Sequence, residues 1–182
     1  MNLRAAVPDD AMAVARVHVR AWQAAYRGLM PEDYLAGLRA EDRAQRYDFA
    51  NRDPARPRTV VAVEADTILG FATISPARDE DAPGQGELCA LYVEPDCWGR
   101  GIGKALAAAA RAELYRMGFR TAVLWVAARN ARAEQFYRSD GWIREEAHRA
   151  RQIWHVTIDT VRYGRVLDDT YSEVSSSTTV PW

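Results

Sequence analysis

Three glycines, Gly99, Gly101 and Gly103, fall between an apolar run at 88–93 and an alanine-rich stretch that opens at Lys104. Glycine permits positive φ and lets backbone N–H groups come close to a ligand. The first turn of a helix adds unpaired donors and a partial positive charge. A strand, a glycine-rich turn and a helix in that order therefore form a cradle for an anion such as phosphate. Arg100 and Lys104 bring formal charge to the same turn, and Lys104 is the only lysine among 24 basic residues. The Walker spacing fails, because Trp98 and Ala105 stand where it needs Gly and Ser/Thr. The dinucleotide spacing fails as well: counted from Gly99 or Gly101, its third glycine falls on Lys104 or Leu106. Read by themselves, these residues also fit a glycine-rich turn with no ligand.

Other side chains could do chemistry. His18, Trp22 and Tyr26 recur at i, i+4 and i+8, so one helix face carries all three, as an aromatic core stripe or as the wall of a binding site. Phe136 and Tyr137 fit the apolar side of an amphipathic helix, and Asn130 fits that helix's N-cap. Cys89 and Cys97 cannot form a disulfide framework or a four-thiolate zinc site, and neither is given a role. His18, His148 and His155 show no paired-ligand spacing, so no metal is expected.

The elements that position these residues follow from periodicity and punctuation. A short strand is predicted at 3–7. Pro8-Asp9-Asp10 opens a helix whose apolar face (Val14, Val17, Ala21, Ala24, Ala25) runs to Gly28. A short helix starts at Pro31, and another covers 40–50. Strands at 59–63 and 68–75 flank a turn at 64–66, and a surface loop spans 76–86. The run at 88–93 reads as a strand buried on both faces. Helix 104–117, strand 120–126, helix 130–139 and a strand pair at 142–146 and 151–163 complete the order. This is one α/β domain of the α+β type over 1–167, followed by a polar tail over 168–182.

Composition narrows the classes. The 182 residues are 48% apolar and 27% charged, an ordinary globular balance. With a net charge of -1 there is no basic excess for nonspecific nucleic-acid binding. No apolar leader and no stretch of about 18 apolar residues is present, so a cytoplasmic protein with no membrane partner is expected. The strand at 151–163 could pair across a homodimer.

Two blocks resemble a known family. Gly101 and Gly103 match the glycines of the acetyl-CoA pyrophosphate signature of the GNAT superfamily of N-acetyltransferases, where Gln or Arg stands three residues before the first glycine; here that residue is Trp98. Asn130, Ala133, Phe136, Tyr137, Gly141 and Trp142 match the family's N-x-x-A-x-x-F-Y-x-x-x-G-F/W block. The resemblance is close over 88–142. It implies a mixed, mostly antiparallel twisted sheet of six to seven strands flanked by four to five helices. It implies acetyl-CoA as cosubstrate, held by Gly99, Arg100, Gly101, Ile102, Gly103, Lys104 and Asn130. Backbone amides of Leu91, Tyr92 and Val93 would meet the reacting carbonyl, on a strand that splays from the next one. Tyr137 would serve the departing thiolate. Glu87 would be the base, with Glu94 and Glu145 as weaker candidates and a solvated strand-end carboxylate as the alternative. Trp22 and Tyr26 would line the amine site. The reaction implied is acetyl transfer to a primary amine. A CoA-binding module without turnover, or an acyltransferase using another acyl donor or an oxygen acceptor, stays open.

Overall fold

A computed structural model describes residues 1–51, 53–153 and 156–168. The elements are β1 (Asn2–Ala5), α1 (Ala11–Ala25), α2 (Glu32–Ala36), α3 (Ala40–Ala44), β2 (Arg58–Glu64), β3 (Thr67–Pro76), β4 (Gly86–Val93), α4 (Ile102–Arg116), β5 (Thr121–Ala127), α5 (Ala131–Ser139), β6 (Ile143–Ile153) and β7 (Val156–Val166). The seven strands form one sheet in the order β1-β2-β3-β4-β5-β7-β6. All pairs are antiparallel except β4–β5. The mixed, mostly antiparallel sheet flanked by helices is the expected architecture. Apart from Asp168, the polar tail lies outside the described residues. No helix among the described residues is long and apolar enough to cross a membrane.

Each face of the sheet buries a helix. On one, α4 presents Leu106, Ala110 and Leu114, all fully buried, to Val60, Ala72, Ile74 and Leu124. On the other, Val14 and Val17 of α1 pack on Val61 and Phe71. The β2–β3 turn is made by Ala65 and Asp66, both at positive φ, the geometry a tight hairpin demands. Because α4 carries the glycine turn at its front end, its packing fixes that turn. Leu106→Ala is expected to cost about 2–5 kcal/mol of unfolding free energy, read as a lower urea midpoint at unchanged slope.

Four expectations are corrected. The helix at 40–50 stops at Ala44, because Tyr47 and Phe49 turn inward, stacked on each other at 5.0 Å, with Tyr47 set edge-on to Phe71 at 6.2 Å. Strand 142–146 does not end there: β6 runs on through 147–150, where Arg149 lies on the Trp125 ring. The loop 76–86 is not all surface, since Ala82 is fully buried and the Asp79 carboxylate is largely covered. The run 88–93 is not buried on both faces: Cys89 is exposed and Ala90, Leu91 and Tyr92 are half-buried. The dimer-pairing expectation also shifts, because β7 is flanked by β5 and β6 and the strand at that edge is β6.

Candidate active site

The exposure of β4 has a geometric cause. It pairs with β3 along its length, but with β5 only at Gly86↔Ala122 and Glu87↔Val123. Beyond that point β5 follows β7, and the two parallel strands diverge. A bulge sharpens the divergence: Thr73 faces Ala90 and Ile74 faces Leu88, which leaves Cys89 unmatched. A cleft of about 360 Å³ opens in the gap, with Leu88 to Val93 on one wall and Trp125, Val126 and Ala127 on the other.

The glycine turn closes one end of the cleft. Gly99 and Gly101 sit at φ +84° and +83°, where a side chain would be strained, and a Cβ on either would meet nothing within 4 Å. Their demand is therefore conformational, and the space above them is open. Gly101 is the N-cap of α4 and no side chain caps it. The amides of Ile102, Gly103 and Lys104 have no carbonyl a turn earlier to bond, and all three residues line the cleft. Gly103 has a different reason: a Cβ there would come within 3.3 Å of the Phe136 ring.

Trp98, the departure from the signature, has a structural use. Its Nε1 donates to the Val93 carbonyl at 2.8 Å, tying the turn to the end of β4. The Arg132 guanidinium lies 3.7 Å from its ring centroid, and both residues line the cleft. Arg100 points elsewhere: its guanidinium pairs with Glu64 at 2.7 Å, and it is not part of the cleft wall.

Tyr137 reaches the cleft from α5, held edge-on by Trp142 at 6.3 Å and by Phe136 at 5.1 Å. Behind it Asp140 is ion-paired with Arg111 and accepts from the Trp142 Nε1 at 3.0 Å. Burial raises the pKa of the Tyr137 phenol well above its ordinary value, with Tyr92 and Asp140 adding to the rise. It therefore stays a neutral O–H donor at every physiological pH. Asn130 caps α5, its Oδ1 accepting from the Ala133 amide at 3.1 Å, and it lines the cleft too. The cap reading and the ligand reading both fit it.

At the other end stands the aromatic set of α1. Tyr26 lines the cleft, whereas Trp22, 6% exposed, lies behind it with ring centroids 4.9 Å apart. His18 is buried against Tyr92 at 4.6 Å, and its Nδ1 shares a hydrogen bond with the Tyr47 hydroxyl at 2.8 Å. Burial, then Arg43, hold the pKa of His18 well below the ordinary imidazole value, so it is neutral and part of the core. Glu87, 9% exposed, lies one residue before the cleft wall begins at Leu88. Burial raises its pKa first, Asp79 adds to that, and Arg151, Arg149 and Arg78 pull against it. Glu94 is engaged by Arg20 at 2.8 Å and Glu145 by Arg162 at 2.5 Å, so both carboxylates are occupied. Cys89 opens onto the cleft, where desolvation by the surrounding walls, with the Glu87 charge adding, pushes its thiol up to about 12; Cys97 also lines it.

The structure therefore gathers Leu91, Tyr92, Val93, Gly99, Gly101, Ile102, Gly103, Lys104, Asn130, Tyr137 and Tyr26 around one space. It leaves Glu87 at the edge and sets Arg100 and Trp22 outside the wall. Sequence reasoning missed Arg132, Trp125 and the Asp79 loop anchor. Arg132 had a signal, an arginine in the first turn of the cleft helix. Trp125 and Asp79 had none, because their meeting depends on β5 facing a loop 46 residues away, Nε1 to Oδ2 at 2.7 Å.

A split between two parallel strands, an uncapped glycine-led helix beside it and a tyrosine across from it thus meet in one cleft. The model of the GNAT acetyltransferase family matches residues 20–142, and this chain belongs to that family. A Bacillus subtilis protein described as the uncharacterized N-acetyltransferase YuaI is 31% identical over 133 residues, covering 71% of this chain and 73% of that protein. A mycothiol acetyltransferase of Cellulomonas flavigena is 33% identical over 150 residues, 78% of this chain but 40% of the relative, so this chain spans less than half of that protein. Among solved structures, the paia N-acetyltransferase of Thermoplasma acidophilum in complex with coenzyme A shares the fold at a TM-score of 0.67 and 17% identity, covering 91% of this chain and 98% of that one.

Proposed function

We propose that this protein is an acetyl-CoA-dependent N-acetyltransferase that passes the acetyl group to a primary amine of a small molecule or a protein by direct attack in a ternary complex. The observation that carries this reading is the convergence of uncapped α4 amides, an unpaired β4 edge and the Tyr137 phenol on one cleft.

The residues fit the coenzyme. The amides from Ile102 to Lys104 would take the diphosphate, with Lys104 adding charge and Arg132 a further cation nearby. The free edge of β4 would accept the extended pantetheine arm as another strand would. Amides around Leu91 to Val93 would meet the negative charge that builds on the carbonyl oxygen. The N–C bond forms as the C–S bond breaks, and the leaving thiolate meets the Tyr137 O–H. With its pKa raised, Tyr137 serves as a hydrogen-bond donor, since giving up its proton outright to a thiol of pKa ~8.5 is strongly uphill.

The amine must first lose a proton. At a lysine-like pKa of ~10.4 this costs about 4–5 kcal/mol at pH 7. Glu87, set one residue outside the cleft wall, would take that proton through a bridging water. Its raised pKa moves the acid limb of kcat/KM to a higher pH than an ordinary carboxylate would give, because the base form fills only above that pKa. Glu87→Gln is expected to lower kcat by about tenfold or more and to remove that acid limb. A limb unchanged in the variant removes Glu87 from the role.

Calorimetry with acetyl-CoA, paired with thiol release over a panel of amines, tests the whole reading. Binding with release supports it. Binding without release across the panel favours a coenzyme-holding module. Release only with longer acyl donors or with hydroxyl acceptors favours another acyltransferase.

A further inference from the structure

We propose that the acceptor is an amine that also carries an anion, a carboxylate or a phosphate, with the anion received by Arg151 and Arg78 and the amine turned toward Glu87. The proposal rests on the acetyl-transfer reading above and names the substrate class of that same site.

Register sets the positions. Partners in an antiparallel ladder project to the same face, and so do residues two apart. Arg151 pairs with Ile158 and Arg149 with Thr160. Ile158 packs against the cluster of Trp22, Met30 and Leu35, as Tyr26 and Tyr92 do. Arg149 lies 3.9 Å over Trp125, which lines the cleft. Arg151 therefore projects from the same side of β6 as Arg149, opposite Ile158, which packs against the same cluster as Tyr26. Arg78 comes from the loop that Asp79 anchors on Trp125.

Not every charge around this mouth is paired within the protein. Arg149 is paired with Asp79, and Arg162 with Asp81 and Glu145. Among the described residues, Arg78 and Arg151 have no ion pair and no side-chain hydrogen bond, and neither does the Glu87 carboxylate, although Glu87 is buried. The field of Arg151 reaches Tyr26, Glu87, Cys89 and Tyr92, and that of Arg78 reaches Glu87 and Cys89. The carboxylate of a largely buried residue thus lies in the field of two uncommitted guanidinium groups. A simple alkylammonium would satisfy the carboxylate and be repelled by the arginines. An amino acid or an aminoalkyl phosphate satisfies both, and a guanidinium suits either anion because it donates in a planar fork.

Matched sets test this: leucine, leucinamide and isoamylamine for the carboxylate, and phosphoethanolamine against ethanolamine for the phosphate. The anionic member of at least one set is expected to exceed its neutral analogues by about tenfold or more in kcat/KM, through KM. Whichever set shows the preference identifies the anion. Arg151→Gln should collapse that ratio, and Arg151→Lys should keep part of it. Equal use of anionic and neutral amines, or a ratio that survives Arg151→Gln, overturns the proposal. If no amine releases thiol, the transferase reading fails on its own. Saturation-transfer NMR of the same sets on the CoA-loaded protein then reads the preference without turnover: an anion-selective signal lost in Arg151→Gln sustains the proposal, and signals of equal strength overturn it.

Discussion

Tyr137→Phe is expected to lower kcat by about 100-fold while leaving the dissociation constant for acetyl-CoA within about twofold. The phenol O–H is the group the change removes. The ring keeps its edge-on contacts with Phe136 and Trp142, so α5 and the cleft wall stay in place. Burial keeps the hydroxyl protonated, so the basic limb of the wild-type pH profile should show no loss assignable to this tyrosine up to pH 9. Single-turnover kinetics separate the chemical step from binding. An unchanged chemical rate would take Tyr137 out of the mechanism.

Gly101→Val is expected to weaken acetyl-CoA binding by about 100-fold or more, measured by calorimetry. At φ +83° a β-branched residue is strained, so the turn must rearrange and the first amides of α4 must swing away from their common focus. Each charge-assisted hydrogen bond lost from such a cradle is worth about 1.5–3 kcal/mol, and two of them already exceed a hundredfold. The core should tolerate the change, because no atom lies within 4 Å of the new Cβ. A variant that binds as tightly as the parent would mean that these amides do not hold the phosphates.

Local pattern carried the fold and half of the site. The glycine turn and the Asn130-to-Trp142 block lie on contiguous stretches whose meaning is set by near neighbours, so their elements and their places in the cleft were readable. The run 88–93 misled, because an apolar run records what a strand could bury and says nothing about whether the next strand stays alongside. Its openness arises from β5 turning toward β7. The stretch at 147–150 misled for a related reason. Ala147-His148-Arg149-Ala150 carries little strand signal of its own, yet Arg149 finds both a carboxylate and an aromatic face at long range. Arg100 was drawn into the cradle by proximity in sequence, and Glu64, 36 residues earlier, holds it away. The aromatic face of α1 stayed ambiguous because a helical stripe does not reveal its depth: His18 and Trp22 are core and Tyr26 reaches the opening.

The two-residue rung at Gly86 and Glu87 has a mechanical side. Through backbone ladder bonds, β1 to β4 form one leaf and β5 to β7 another, joined edge to edge only there among the described residues. The leaves are hinged at one end like a clothes-peg. Helix α4 packs on strands of both leaves and braces the jaw from one face, so a guest lying along the free β4 edge would add ladder bonds to a frame already held open.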